Sequence, residues 1–327
     1  MPALLPFRAF TDPEQSSIYI PGEEPVRPLR LEALVQDAEP ALFIYRQSFG
    51  ESVRDGVMGL LDRAEAGPVY PHEGTLPDKL AACAEALRAG QADPGSLWLW
   101  THDEENRLAP LLRTNEPVTF EVLDRFGCLH QIWRKSESIW IEAVQQELEN
   151  KELFLADGHH RYAAGWNLAT IQVRSQALRS LPSHRLVLED GFVLRGAQPI
   201  QDLAAFQAET PSGRARLGLF CGDGKLLGID VPWDMRHHLL EGVRVEPIRS
   251  IENAREAVES GRAKMALLVQ ELSLDEIEAQ ARSGSFLPAK STDFYPKLAA
   301  GILMYRHQNE TVNPPTPHLP GVRYPSS

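Results

Sequence analysis

Leu153-Phe-Leu-Ala-Asp-Gly-His-His-Arg-Tyr162 joins an apolar segment to a compact polar cluster. The apolar residues from Leu153 to Ala156 predict a buried strand, and Asp157-Gly158 predicts a tight turn after it. The helix-like run from Tyr162 to Ala169 predicts that a helix follows the turn. The stretch therefore predicts a strand, a turn and the first turn of a helix.

The polar residues of this turn favour an anion-binding site. Helix N-termini carry unpaired N–H groups and a positive dipole end, so they hold anions. Gly158 allows the backbone to approach a ligand closely, while His159, His160 and Arg161 add donors and charge. The alternative is that Asp157 caps the helix and the basic residues pair with surface acids. Because these residue types occur together behind an apolar strand, we favour a functional site.

The composition excludes several classes of protein. The chain has 327 residues, 43% of them hydrophobic and 24% charged, as expected for a soluble globular protein. The formal net charge of −12 opposes sequence-independent binding to DNA or RNA, which needs many lysines and arginines. No apolar run is long enough to span a bilayer, so no membrane partner is predicted. A small anionic ligand remains compatible with an acidic protein that has a local basic pocket, and the oligomeric state stays open.

The cysteines and the N-terminus predict a cytoplasmic location. The chain has three cysteines, and no CxxC pair indicates a zinc ribbon or a redox site. We interpret Cys83, Cys128 and Cys221 as small apolar residues in a reducing compartment. The N-terminal residues do not form a leader of signal-peptide type.

The order of predicted elements indicates an α+β or mixed α/β fold. Strands and helices are mixed without strict βαβ alternation. A hairpin is predicted over 97–112, a helix over 116–126 and a second hairpin over 216–229. A soft boundary near residue 200 gives two regions, 1–200 and 201–327, which are expected to pack closely or to form a single domain.

Tyr70-Pro-His-Glu-Gly-Thr75 places an imidazole and a carboxylate side by side. His72 and Glu73 lie on a predicted loop, so both can point into one cleft, where they suit general-base work or metal ligation. A solvated loop with Thr75 as a helix cap is the alternative. The residues alone leave the two interpretations open.

Two later segments carry further candidate residues. Leu181-Pro-Ser-His-Arg185 repeats a His-Arg pair before a strand, and His184 and Arg185 are candidates for the same cleft, although such a pair alone favours the surface. Lys290, Ser291 and Thr292 lie in a polar loop and are residue types that hold phosphate oxygens. The pair at 237–238 is interpreted as surface histidines. The chain lacks the GxGxxG, P-loop, GxSxG and HExxH patterns.

The ordered strings resemble those of a bacterial and archaeal family called DUF1015. They are Pro6-Phe-Arg-Ala9, Tyr45-Arg46, Pro71-His-Glu-Gly-Thr75, Leu155-Ala-Asp-Gly-His-His-Arg-Tyr162, Ser183-His-Arg-Leu186 and Lys290-Ser-Thr-Asp-Phe-Tyr-Pro-Lys297. The chain departs from the family pattern at Thr11-Asp-Pro-Glu-Gln-Ser-Ser17, where an apolar Ala-Pro-Pro-Tyr-Asp segment is expected, and in a short segment between Tyr162 and His184.

The strand–Asp-Gly-His-x-Arg–helix unit is also similar to the phosphate-binding element of the ParB/sulfiredoxin-like superfamily. That superfamily includes nucleotide-dependent partition proteins, sulfiredoxins and a free-serine kinase. The resemblance implies a ParB/sulfiredoxin-like core with additional α/β segments. It also implies that His159, His160 and Arg161 hold nucleotide phosphates at the helix N-terminus. Sulfiredoxin chemistry would need a cysteine in this loop, and partition-type DNA binding would need a basic helix-turn-helix; the loop has no cysteine, and no basic helix-turn-helix is visible in the sequence.

The leading hypothesis is a phosphotransferase, such as a kinase, that acts on a small hydroxyl metabolite such as serine with ATP or ADP and Mg²⁺. Glu73 or Asp157 accepts the hydroxyl proton, and His72 orients it. The predicted nucleotide-binding residues are Gly158, His159, His160, Arg161, Lys290, Ser291 and Thr292, and Lys290 closes the site. The predicted substrate-binding residues are Arg46, His184 and Arg185.

Two other hypotheses stay open. The first is a hydrolase with a metal ion held by histidine and carboxylate side chains, whose number allows such a site although their spacing does not demand it. The set is His72, Glu73, Asp157 and His159. The second is a non-catalytic binding or scaffold protein, in keeping with the shortened segments.

Overall fold

The computed structural model describes residues 3–27, 30–93, 95–208, 214–232, 243–287 and 289–306. The predicted surface histidines at 237–238 lie outside the described residues. Contacts divide the chain into two compact units. Unit 1 is Met1–Leu178, Ala281–Phe286 and Pro296–Ser327, and unit 2 is Arg179–Gln280 and Leu287–Tyr295. The division into the regions 1–200 and 201–327 stays a prediction about domains. The boundaries of the two compact units lie at other positions in the chain.

The described strands are β1 (Leu4–Leu5), β2 (Phe10–Thr11), β3 (Val35–Gln36), β4 (Leu42–Phe49), β5 (Ser52–Leu61), β6 (Val69–Tyr70), β7 (Ala92–Asp93), β8 (Leu97–Thr101), β9 (Phe120–Leu123), β10 (Leu129–Lys135), β11 (Leu153–Asp157), β12 (Leu168–Val173), β13 (Arg179–Pro182), β14 (His184–Val187), β15 (Gln198–Pro199), β16 (Arg214–Cys221), β17 (Leu226–Pro232), β18 (Val245–Ile248), β19 (Met265–Val269), β20 (Thr292–Tyr295) and β21 (Tyr305–Arg306). The described helices are α1 (Pro77–Arg88), α2 (Leu108–Leu111), α3 (Ser138–Leu148), α4 (His159–Ala164), α5 (Leu203–Gln207), α6 (Ile251–Glu259) and α7 (Leu274–Arg282), with a 3-10 helix at Leu31–Ala33. This mixture confirms the predicted α+β class. The ParB/sulfiredoxin-like core stays a prediction.

Unit 1 is built on a mixed nine-stranded sheet in the order β6-β11-β8-β12-β5-β4-β10-β9, with β1 paired to β5. The run of apolar residues in β8 is buried throughout, as is that of β11 up to Ala156. Such runs are typical of strands covered on both faces. The core joins these strands to α3, which buries Val144 and Leu148 one turn apart against Leu153 and Leu155. This sheet fixes the position of the carboxyl end of β11.

Two local predictions in unit 1 are wrong. The segment 97–112 is not a hairpin, because β8 pairs with β11 and β12. The next segment forms α2, where the Asp103 carboxylate accepts the N–H groups of Leu108 and Ala109. The segment 116–126 contains β9 instead of a helix. Its alternating residues pair with β10, and Gly127, at φ +82°, completes the turn.

The helix after the central turn is shorter than predicted. It begins at His159 and ends at Ala164, and Ala169 lies in β12. Gly165 adopts φ +102° at the C-cap, a left-handed conformation that ends a helix. The chain then enters the sheet beside β8 and β5.

Unit 2 contains a six-stranded antiparallel sheet in the order β15-β17-β16-β19-β14-β18. The predicted hairpin over 216–229 is confirmed by the pairing of β16 with β17. One face is covered by α6, which buries Ala254, Ala257 and Val258. Within the described part of the chain, no helix has the length and apolar character needed to cross a membrane.

Candidate functional site

The strand-to-helix turn forms as the sequence predicts. β11 ends at Asp157, and Gly158 follows in a left-handed conformation at φ +94°. The Gly158 N–H donates to Oδ1 of Asp157 at 2.7 Å. A Cβ on Gly158 would lie 3.1 Å from a methyl carbon of Leu97, so both the conformation and the space favour glycine. The turn therefore fixes the direction of the Asp157 carboxylate.

Lys297 pairs with this carboxylate. Its Nζ lies 3.2 Å from Oδ2 of Asp157, and both side chains are only partly exposed. The sequence alone does not single out Lys297 as a site residue, although it is the last residue of the KSTDFYPK string. The structure therefore places a cation beside the one carboxylate of the central motif.

The backbone that carries Lys297 is held by buried polar side chains of β4 and β5. Gln47 donates its amide to the Lys297 carbonyl oxygen at 2.7 Å. Arg54 donates to the Pro296 carbonyl oxygen at 2.5 Å and also to the side-chain oxygen of Gln47. The Arg54 guanidinium lies 4.7 Å from the ring centroid of Trp98. Burial lowers the pKa of Arg54 to about 10, which still leaves it charged at neutral pH. These contacts preorganise the segment.

His72 and His159 meet edge to face in a buried position. Their ring centroids are 4.6 Å apart at an interplanar angle of 88°. The backbone N–H of His72 donates to Nε2 of His159 at 3.4 Å. Glu73 is also buried, and its Oε1 lies 3.9 Å from Nε2 of His72, beyond hydrogen-bonding distance. The two predicted motifs of unit 1 are therefore in direct contact through their histidines.

The electrostatic environment keeps His72 neutral. Burial, followed by the neighbouring His159, lowers the pKa of His72 to about 3, although Glu73 and Asp157 act in the opposite direction. Both carboxylates are thus close enough to His72 to affect its charge. A neutral imidazole at neutral pH can orient a hydroxyl group, but it is not a cation for phosphate binding.

His160 and Arg161 have internal partners. The Leu76 N–H donates to Nε2 of His160 at 2.9 Å, and Arg161 donates to the carbonyl oxygen of Gly95. A small cavity of about 10 Å³ lies beside Asp157 and Arg161. This volume has room for about one water molecule, so it does not hold a nucleotide. These contacts link His160 and Arg161 to neighbouring loops, and the binding of phosphate by the two residues stays a prediction.

Arg46 lies apart from this cluster. It pairs with Asp55 across β4 and β5, with Nε 2.6 Å from Oδ1, and its guanidinium lies 5.5 Å from the ring centroid of Trp133. Successive strand residues point to opposite faces, so Arg46 faces away from its neighbour Gln47, which contacts the Lys297 backbone. The structure does not bring Arg46 together with Lys297.

The remaining predicted residues lie in unit 2. His184 is buried on β14, and its Nδ1 accepts the Val269 N–H at 3.0 Å. Burial, and then the nearby Arg185, lowers the pKa of His184 to about 4. The geometry describes a neutral histidine that satisfies a strand N–H group. A shared site of His184 with Asp157 stays a prediction.

Arg185 and the predicted phosphate loop are in contact within unit 2. Arg185 donates to the carbonyl oxygens of Ser183, at 2.8 Å, and of Lys290. Lys290 has φ +70°, Ser291 is buried, and Thr292 begins β20 opposite Pro182 of β13. The structure brings these residues together, and their binding of phosphate stays a prediction.

The metal site suggested by the sequence is not assembled in the described part of the chain. No three of its four residues bring their donor atoms within 4.8 Å of one another there. The four are His72, Glu73, Asp157 and His159. The hydrolase hypothesis stays a prediction.

Comparison with known proteins gives one family match. The model of the family described as "Protein of unknown function (DUF1015)" matches residues 27–238. No curated protein matches the chain.

Several solved structures show a distant likeness. A free serine kinase in complex with AMP is 15% identical, with 69% of this chain and 83% of that chain covered and a TM-score of 0.44. SbnI from Staphylococcus aureus, with a C-terminal truncation, is 14% identical, with 74% and 84% covered and a TM-score of 0.41. A conserved hypothetical protein from Pyrococcus furiosus is 13% identical, with 69% and 86% covered and a TM-score of 0.42. At these scores the likeness carries no argument about activity.

Proposed function

The chain belongs to the DUF1015 family, and we propose that it is a nucleotide-dependent phosphotransferase that acts on a small hydroxyl metabolite, with serine as the first substrate to test. The observation that carries the proposal is the pairing of Lys297 with Asp157 at the end of β11. Phosphoryl transfer needs a cation beside the transferred group and a carboxylate that binds Mg²⁺ or accepts a proton, and this pair supplies both charges.

The surrounding residues fit this chemistry. Carboxylate oxygens are the ligands that Mg²⁺ prefers, and Asp157 and Glu73 both lie close enough to act on the pKa of His72. The neutral His72 is suited to orient a hydroxyl group. The cavity beside Asp157 has room for about one water molecule, so the proposal requires the transferred phosphoryl group to contact Asp157 and Lys297 from outside this cavity. The base and ribose lie outside this cavity.

The proposed step is an in-line displacement. The substrate hydroxyl oxygen forms a bond to the terminal phosphorus of ATP, and the bond from that phosphorus to the bridging oxygen breaks. ADP leaves, and the hydroxyl proton passes to Asp157 or Glu73. Lys297 moves from the carboxylate toward the phosphoryl oxygens and offsets their charge.

Calorimetric titration of the full chain with ATP, ADP and CTP, with and without Mg²⁺, tests binding. Lys297→Met is expected to weaken nucleotide affinity by about 1.5–3 kcal/mol, the value of a charge-assisted hydrogen bond. Lys225→Met removes an exposed lysine of the β16–β17 turn in unit 2 and is the matched control. Circular dichroism verifies that both variants fold.

Turnover is tested with serine and other small hydroxyl compounds by following ADP release. Asp157→Asn keeps the size of the side chain, and a loss of about 10²–10⁴-fold is expected for a general base. Failure of every nucleotide to bind would remove the phosphotransferase and leave the metal-dependent hydrolase and the scaffold hypotheses. Binding that Lys297→Met leaves unchanged would place the nucleotide elsewhere.

A further inference from the structure

The β9–β10 hairpin brings three potential metal ligands together near its turn. Donor atoms of Asp124, Cys128 and His130 all lie within 4.8 Å of one another. Cys128 and His130 are two residues apart in an extended segment, so both point to one face, and both are fully buried. The Asp124 side chain is 7% exposed. The turn returns Asp124 to the same place, because the Asp124 N–H donates to the Cys128 carbonyl oxygen at 2.9 Å and the Cys128 N–H donates to Oδ1 of Asp124.

Outer contacts fix the orientation of two of these side chains. Oδ1 of Asp124 accepts the N–H groups of Phe126 at 2.8 Å and Cys128 at 2.9 Å. This leaves Oδ2 directed at Nε2 of His130, 3.1 Å away. The other ring nitrogen of His130, Nδ1, lies 2.6 Å from the Tyr45 hydroxyl. Metal-binding histidines and carboxylates are typically oriented in this way, by a hydrogen bond at the atom that does not face the metal.

We propose that Asp124, Cys128 and His130 form a binding site for a zinc-type divalent ion. Thiolate, imidazole and carboxylate together are a ligand set that suits Zn²⁺, and three protein ligands leave one position for water. The separation of 3.1 Å between Nε2 and Oδ2 is close to the edge of a tetrahedron around Zn²⁺, about 3.3 Å for ligand distances of about 2 Å.

The proton balance is simple. The ion replaces the proton of the Cys128 thiol, which is released to solvent as the S–Zn bond forms. His130 stays neutral, with its proton on Nδ1 facing the Tyr45 oxygen. Asp124 binds as the carboxylate. The site ties the turn to β10 and β4, so it stabilises one edge of the unit 1 sheet.

A metal-free interpretation treats the same residues as a buried hydrogen-bond chain. Nε2–H of His130 donates to Asp124, and the Tyr45 hydroxyl donates to Nδ1. This chain accounts for the Asp124 and His130 contacts, and the Cys128 thiol then forms a hydrogen bond with the Gln47 side chain. The decisive difference between the two interpretations is therefore whether the sulfur of Cys128 binds a metal ion.

Cobalt substitution of the full chain tests this difference. Metal-free protein titrated with Co²⁺ is expected to bind about one ion per chain and to develop a sulfur-to-cobalt charge-transfer band. Cys128→Ser removes the band, whereas Cys221→Ser, a cysteine of unit 2, leaves it unchanged. Asp124→Asn keeps an oxygen that can accept the turn N–H groups and weakens Co²⁺ binding at least tenfold, so loss of fold does not explain the loss of metal.

Zinc analysis of the purified protein gives a second readout. About one Zn²⁺ per wild-type chain is expected, and EDTA is expected to lower the melting temperature of wild type but not that of Cys128→Ser. The proposal is overturned if Co²⁺ produces no charge-transfer band in folded wild type, or if Cys128→Ser retains it. Neither outcome affects the phosphotransferase proposal, which involves other residues.

Discussion

The amide of Gln47 donates to the carbonyl oxygen of Lys297 at 2.7 Å, although 250 residues separate the two. Gln47 is buried on β4 and receives a hydrogen bond from Arg54 on its side-chain oxygen. The Lys297 ammonium on the same residue reaches Asp157. A buried polar network of unit 1 therefore sets the position of the charge that faces the central motif.

Replacement of Gln47 by leucine is expected to destabilise the protein and to weaken the site. The Lys297 carbonyl and an Arg54 donor would lose their partner in a buried position, which costs about 1–3 kcal/mol. Urea unfolding measures this loss. Gln131→Leu on β10 is the control, because its exposed hydrogen bond to Glu121 contributes little. Equal stability of both variants would contradict the positioning role of Gln47.

A double-mutant cycle measures the ion pair of Lys297 and Asp157. The two side chains are 13% and 35% exposed, so solvent screens part of their attraction. We expect a coupling of about 0.5–1 kcal/mol between Lys297→Met and Asp157→Asn in urea unfolding, and its reduction at high salt. The exposed pair of Lys225 and Asp223 is expected to show no measurable coupling. A coupling that does not respond to salt would indicate packing instead of charge.

The sequence predicts the central unit because its signals are local. An apolar run, an Asp-Gly turn and a helix start lie within ten residues, and all three form between Leu153 and Ala164. The helix predicted over 116–126 is wrong because a strand of four residues has too few alternations to be distinguished from a helical pattern. Only its pairing with β10, a tertiary contact, decides the conformation.

The site is less predictable than the fold because charged side chains find distant partners. Lys297 and Asp157 are 140 residues apart, so no spacing rule connects them. Arg46 and Arg161 look like ligand-binding residues in the sequence, but Asp55 and the Gly95 carbonyl receive their hydrogen bonds. A sequence pattern identifies donors, whereas only the fold shows which of them have protein acceptors.

Gly158→Ala is expected to be more damaging than substitution of a comparable glycine in open space. A left-handed conformation costs a non-glycine residue about 1–2 kcal/mol, and the new Cβ would also press on Leu97. Gly22, at φ +82°, has no atom within 4 Å of an added Cβ and gives the conformational cost alone. Thermal unfolding compares the two variants. If Gly22→Ala were the more destabilising, contact with Leu97 would not constrain the turn.

Finally, His184 is expected to make unit 2 sensitive to acid. Burial lowers the pKa of His184 to about 4, while the unfolded chain retains a value of about 6.5. Between these values the unfolded state binds the proton and the folded state does not, so stability rises with pH across this window and is lost as pH falls. As the pH falls toward the folded pKa, the loss in the free energy of unfolding that is due to His184 reaches about 3 kcal/mol.

His184→Asn keeps an acceptor for the Val269 N–H but does not titrate, so its unfolding free energy should fall less steeply than that of wild type between pH 6.5 and 4. His184→Leu removes the acceptor as well and is expected to lose about 1–3 kcal/mol even at pH 7, where the histidine is mostly neutral in both states. Urea unfolding at half-unit pH intervals separates the two effects, and parallel curves for wild type and His184→Asn would show that the buried imidazole titrates at its ordinary pKa.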